Sequence, residues 1–178
     1  MRLFYRARQL WVTVAVRPPP AALAAVPAVL SPPLMELFCG MQPGEQVHAL
    51  QVLGKLQAQG ETDADLLAAA LLHDAGKQHC ALQPWERVLI VLAQAACPKL
   101  ARRWGHLPEN SAQGCEGWRR PFVAAAQHAE WGAEMALQAG ASPQVAALIR
   151  RHPYPAPPGS TAWEDRLLRK LQAVDDES

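Results

Sequence analysis

Six side chains in this sequence combine metal-binding chemistry with positions that interrupt otherwise apolar helices: His48, His73, Asp74, His128, His152 and Asp175. The adjacent pair His73-Asp74 is the most informative, because it follows "LLAAALL", an unbroken apolar run from Leu66 to Leu72. Burying an unpaired charge costs far more than burying a leucine gains, so both groups need partners inside the fold. Four imidazoles and two carboxylates are a donor mix suited to iron, manganese, zinc or similar ions. A cation among them would neutralise the carboxylates and satisfy the imidazoles. Taken singly the residues say less: a lone histidine at a helix end, such as His152, reads more readily as a capping or surface residue.

The elements that must position these groups are all helical. "EQVHALQVLGKLQAQG" carries apolar residues at 49, 52, 53 and 56, the i, i+3, i+4, i+7 spacing of one helix face, and Gly60 stops it. At 100° per residue, His48 lies about 40° from Val52, on the edge of that arc. Thr62 and Asp65 make an S/T-x-x-D/E start signal for the helix that ends in His73-Asp74, with Gly76 as its stop. "PWERVLIVLAQAAC" is a further helix with Pro84 in its first turn. "HAEWGAEMALQAG" opens at or just before His128 and closes at Gly140, while "SPQVAALIRRH" has Ser142 as N-cap and ends on His152. A last helix opens at Thr161, with Glu164 completing a capping box, and carries Asp175. Its phase places Asp175 on the stripe of Leu167, Leu168, Leu171 and Val174, and turns Asp176 outward. No segment has strand periodicity. The fold expected is an all-α helical bundle with a metal site in its core. Residues 17–33, with "RPPP", "VP" and "SPP", read as an irregular connector, and 99–121 as a long basic loop or lid.

The ordered set His48, His73-Asp74, His128, His152, Asp175 resembles the H…HD…H…H…D signature of the HD-domain superfamily of metal-dependent phosphohydrolases. "AALLHDAGK" is similar to that family's core motif, "HAEWGAEMALQAGASPQVAALIRRH" to its third- and fourth-histidine stretch, and "LLRKLQAVDD" to its closing aspartate helix. The likeness runs over roughly residues 36–176, which divides the chain into an N-terminal arm or connector, 1–35, and an HD domain, 36–178. The resemblance implies one or two divalent metal ions, iron, manganese, or one of zinc, cobalt, nickel and magnesium. His48, His73, Asp74 and Asp175 would hold the first ion. Asp74 would bridge to a second ion on His128 and His152. Lys77 would face a substrate phosphate, so that Asp74 and Lys77 are the catalytic residues implied. On its own residues Lys77 reads equally as a solvated lysine favoured by a helix C-terminus. The implied activity is hydrolysis of a phosphomonoester or phosphodiester, nucleotide-like, by a metal-activated water. A di-iron oxygenase sharing the ligand set and a non-catalytic ligand-sensing module are the alternatives. Pro153 stands where a further histidine often follows, and no "GYP" is present, so cyclic-dinucleotide cleavage is not implied.

Composition narrows the partners. The 178 residues carry a formal net charge of +1, which argues against an extended nucleic-acid surface. The four cysteines form no CxxC pair and read as free thiols of a cytoplasmic protein. Arg2, Arg6 and Arg8 precede "LWVTVAV", a run too short to span a bilayer and cut off by "RPPP"; it reads as an arm packed on the domain, with no membrane partner. Lys99, Arg102, Arg103, Arg119 and Arg120 are expected at the substrate entrance or on a solvated loop. Glu45, one turn before His48, is either an acceptor that orients the imidazole or an ordinary first-turn acid. His79 and His106 have no partner at ligand spacing.

Overall fold

The computed structural model describes residues 17–106 and 115–178; the N-terminal arm as far as residue 16 and the centre of the basic segment, 107–114, lie outside them. Among the described residues every regular element is helical. In chain order they are α1 (Pro20–Leu23), a 3₁₀ turn (Val26–Ala28), α2 (Pro32–Cys39), α3 (Pro43–Ala58), α4 (Ala64–Leu72), a 3₁₀ segment (Ala75–Cys80), α5 (Pro84–Ala96), α6 (Pro98–Gly105), α7 (Arg120–Gln138), α8 (Pro143–Arg151) and α9 (Trp163–Asp176). The expected all-α bundle is therefore present. No described helix is long and apolar enough to cross a membrane.

The bundle is organised around α4. All seven residues from Leu66 to Leu72 are buried, and α4 packs against α2, α3, α8 and α9. A helix apolar on every side is stable only when surrounded in this way. Leu71, Leu53, Leu56, Leu148, Ile149, Leu168 and Leu171 meet in one continuous core, so the ends of these helices are held rigidly where His73, His152 and Asp175 project. Two expected starts fall elsewhere. Asp63, not Thr62, caps α4 by accepting from the Leu66 amide at 2.9 Å, while Asp65 instead accepts from the Ser142 hydroxyl at 2.7 Å. Helix α9 begins at Trp163 with Ala162 as its N-cap and without the Thr161–Glu164 box, while Asp165 in its first turn accepts from Ser160 and Arg151. Ser142 caps α8 as expected.

The connector is less irregular than its prolines suggest. Prolines that begin α1 and α2 occupy first-turn positions, where no amide hydrogen is needed. Val26, Leu30 and Leu34 are buried against the core. The basic segment also differs from a loop, since its first part is α6. Arg119 and Arg120 are engaged by partners within the fold. Arg119 donates to the carbonyls of Arg103, Trp104 and His106, and Arg120 pairs with buried Glu86 at 2.6 Å and with the Ala81 carbonyl. Glu45 is occupied likewise: it accepts from its own capping partner Gln42 and from Arg87 at 2.6 Å, so it does not orient His48.

Gly54 shows where backbone freedom is wasted. It lies inside α3, exposed, with nothing within 4 Å of where a Cβ would stand. Gly54→Ala is expected to stabilise the fold by about 1 kcal/mol, the helix-interior difference between the two residues, and to raise the melting temperature by roughly 2–4 °C. A lowered melting temperature would show that α3 needs that flexibility.

Candidate metal centre

The imidazoles of His73 and His152 are placed by the same local device. Each residue occupies the C-cap of a buried helix with nearly identical backbone angles, φ −56° and ψ −32° for His73, φ −55° and ψ −33° for His152. The carbonyls in a final helical turn lack intrahelical partners. Each ring takes one of them: His73 Nδ1 bonds the Ala70 carbonyl at 2.9 Å, and His152 Nδ1 the Ile149 carbonyl at 2.7 Å. These histidines are caps and site residues at once. His128 sits in the third turn of α7, well inside that helix rather than at its start, and repeats the pattern with Nδ1 on the Ala125 carbonyl at 3.0 Å. A carbonyl only accepts, so in all three rings Nδ1 carries a proton and Nε2 is aimed inward; in His128 and His152, whose protonated forms burial disfavours, it is a lone-pair donor.

The chain breaks from α-helix at Asp74, whose φ of −98° and ψ of 3° start the 3₁₀ segment. That turn brings its carboxylate between two groups of histidines. Oδ2 lies 3.6 Å from His73 Nε2, whereas Oδ1 lies 3.8 Å from His128 Nε2 and 3.9 Å from His152 Nε2. Asp175 completes the first group, with Oδ1 at 2.7 Å from His48 Nε2 and 3.5 Å from His73 Nε2. Two sets of ligand atoms result, His48–His73–Asp175 and Asp74–His128–His152, each with its members within 4.8 Å of one another. Asp176 is exposed, as the helix phase predicts. All six expected ligands are therefore brought together. His79 is not among them; it is exposed and packs on Trp131 with ring centroids 4.6 Å apart.

Metal-binding chemistry fits this arrangement on two observations. His73 Nε2 is fully buried with no hydrogen-bond partner. His128 Nε2 and His152 Nε2 face each other at 3.3 Å, although both rings have already committed their Nδ1 protons to carbonyls. Two lone pairs pointed at each other are unfavourable unless a proton or a cation lies between them. Burial, first of all, excludes the proton by pulling His128 down to about 4 and His152 down to about 3. A divalent cation satisfies both rings.

The remaining charges are mutually arranged. Burial pulls His73 downward, but the Asp74 and Asp175 carboxylates outweigh it and raise the imidazole to about 9. Burial also opposes ionisation of Asp74, which Lys77 and then the surrounding histidines nevertheless hold well below the usual carboxylate range. Asp175 is lowered too, against burial, by its bond to His48 and by the nearby His73 imidazole. Lys77, a residue with two readings in the sequence, places Nζ 2.5 Å from Asp74 Oδ2 and keeps 30 % of its side chain exposed. It belongs to the site and also opens onto solvent.

Comparison with protein-family models, curated proteins and solved structures gives no match in any of the three. The site therefore stands on its own geometry.

One residue with no obvious sequence signal as a site former is Gly76. Its φ is negative, so it is neither a helix stop nor a left-handed turn. A Cβ there would meet the His128 carbonyl oxygen at 1.9 Å and the Gly132 amide nitrogen at 2.4 Å. Only glycine lets the 3₁₀ segment lie directly on α7, which sets the separation of Asp74 from His128.

The imidazoles predict a two-sided pH dependence for the metal-free protein. Because His73 is raised in the folded state, its contribution is complete below its ordinary value of 6.5 and is lost as pH rises toward about 9. His128 and His152 are lowered, so below 6.5 the unfolded chain binds protons that the folded chain refuses, and stability falls toward pH 4. The two lowered carboxylates add their own loss only below the ordinary carboxylate range, near 3.8. Urea midpoints measured in chelator should peak near pH 6.5. A midpoint rising steadily from acid to alkaline pH would contradict this charge arrangement.

Proposed function

We propose that this centre holds two divalent ions and hydrolyses a phosphate ester of a small, nucleotide-like molecule, the activity of the HD-domain phosphohydrolases whose motif order the sequence resembles. The observation that carries the reading is Asp74, with one oxygen turned to His73 and the other to His128 and His152. In this reading His48, His73 and Asp175 hold one ion, His128 and His152 the other, and Asp74 serves both. Bound ions of this kind supply hydroxide from water near neutral pH and offset charge on a phosphoryl oxygen.

The chain's own groups do the rest. The carbonyl bonds at Nδ1 turn three imidazoles so that each presents Nε2 to the centre. Lys77 stands at the open side and offers ammonium hydrogens to a phosphate oxygen, close to where charge grows during reaction. The half-exposed His48 and Asp175, 25 % and 27 % accessible, mark the same open side.

The test is metal content of the purified protein by mass spectrometry, followed by a panel of phosphomonoesters and phosphodiesters. Two equivalents of metal with phosphate release support the reading. Bound iron with dioxygen consumption and no phosphate release decides for an oxygenase, and metal without turnover decides for a sensing role.

The last helix supplies a sharper check. Asp175→Ala should lower metal content and activity together, whereas Asp176→Ala should match the parent protein in both. The reverse result would overturn the assignment of the first ligand set.

A further inference from the structure

Helix α5 is built inside out. Trp85, Val88, Leu89 and Leu92 fall within one arc of about 100° on its surface, and all four are exposed, between 38 % and 65 %. The polar residues of the same helix point the other way: Glu86 is buried against Arg120, and Arg87 reaches Glu45. The next helix, α6, carries a further exposed leucine, Leu100.

Helix α6 also carries Lys99, Arg102 and Arg103, all exposed. None of the three has an ion-pair partner among the described residues. From Arg87 to His106 the chain contains no acidic residue at all. Among the described residues these cations make no hydrogen bond or ion pair with the side chains of the metal centre. Gly105 packs against Ala126 and Phe122 of α7, and Ala126 lies about 160° around that helix from His128. Of the two expectations for this segment, exposed Lys99, Arg102 and Arg103 fit the solvated one.

We propose that α5 and α6 form a face that docks on an anionic lipid surface. Tryptophan and leucine on a ridge can sink to the level of the lipid headgroups, while neighbouring lysine and arginine meet lipid phosphates. Charge decides against the other occupants. A second copy would bring three unpaired cations toward three more. The chain's own first sixteen residues include Arg2, Arg6 and Arg8 and no acid, so they would repel α6 in the same way. An acidic amphipathic helix would match the charge, but helix recognition uses a groove, and these side chains stand on a single helix as a ridge. Such docking is peripheral, so the lack of a spanning helix has no bearing on it. It departs from the expectation of no membrane partner.

The test is co-sedimentation of the full chain with vesicles of phosphatidylglycerol and phosphatidylcholine, and with phosphatidylcholine alone. Binding to the first, not the second, and weakening with salt, is the expected result. Trp85→Ser combined with Leu92→Glu should abolish it; both positions are exposed, and circular dichroism checks that the bundle is kept. Arg102→Gln with Arg103→Gln should weaken it roughly thirtyfold, about 1 kcal/mol for each cation. No binding to anionic vesicles, or binding that both variants retain, overturns the proposal. So does self-association removed by Leu92→Glu without vesicle binding, which assigns the face to a second copy. Binding of polyglutamate without vesicle binding overturns it in favour of an acidic protein.

Discussion

If the centre works as proposed, Asp74→Asn is expected to leave the bundle folded, strip it of both ions and reduce phosphate-ester hydrolysis about a thousandfold or more. The size follows from the several kcal/mol that metal ions contribute to phosphoryl transfer, at about 1.4 kcal/mol per decade of rate. Asp74 is the one carboxylate that approaches both groups of imidazoles, His73 from one oxygen and His128 and His152 from the other. Asparagine has nearly the same shape, so the 3₁₀ turn and its packing on α7 persist while the negative charge disappears. Lys77 then loses its ion-pair partner, but its side chain is partly exposed and water can solvate it at small cost. His73→Ala is the companion variant, since it removes a buried ligand from the first set alone and should spare part of the metal. Metal analysis and a thermal melt on the same sample separate loss of binding from loss of folding. A folded Asp74→Asn protein with full metal content would end the proposal that this carboxylate serves two ions.

Gly76→Ala should be the most damaging small substitution in the chain. The added methyl would stand 1.9 Å from one backbone atom of α7 and 2.4 Å from another. No rotamer change relieves a contact with backbone, so either α7 or the 3₁₀ segment must move by more than an ångström. Overpacking of this kind costs typically 1–3 kcal/mol and more where the neighbours are rigid, so a loss of about 3 kcal/mol or more is expected. Both partners of the clash belong to the site, because the displaced segments carry Asp74 and His128. Any protein that still folds should therefore lose the ion expected at Asp74, His128 and His152 first. Gly132→Ala, on the opposite side of the same contact, meets its nearest neighbour at 3.0 Å and should be milder. Urea denaturation of the two variants gives the comparison; equal stability of Gly76→Ala and the parent would show that the helices slide apart freely.

The cluster of four histidines and two aspartates was legible before any fold was known, because each is a polar group set into or at the end of an apolar helix pattern. A helix period assigns residues to a face, and Asp175 continues the stripe of Leu168 and Leu171 while Asp176 does not. Capping at Ser142 and the stop at Gly140, where φ is +87°, follow from chemistry within four residues. The misplaced start at Thr62 is a local ambiguity of the same kind: Asp63 reaches the Leu66 amide, and Asp65 is claimed by a serine 77 positions away.

What only the tertiary structure decided concerns groups whose partners are remote in the chain. Lys77 could be a surface cation or a site residue until the break at Asp74 turned that carboxylate toward it. Gly76 reads as a helix stop until α7 is laid against it. The apolar stripe of α5 has the spacing of a core-facing helix, yet it faces out, because Glu86 and Arg87 are held by Arg120 and Glu45, 34 and 42 residues away. Periodicity tells which side chains share a face, since that depends on local geometry alone. Which face is covered depends on long-range pairing, and the sequence pattern of one helix carries no record of it.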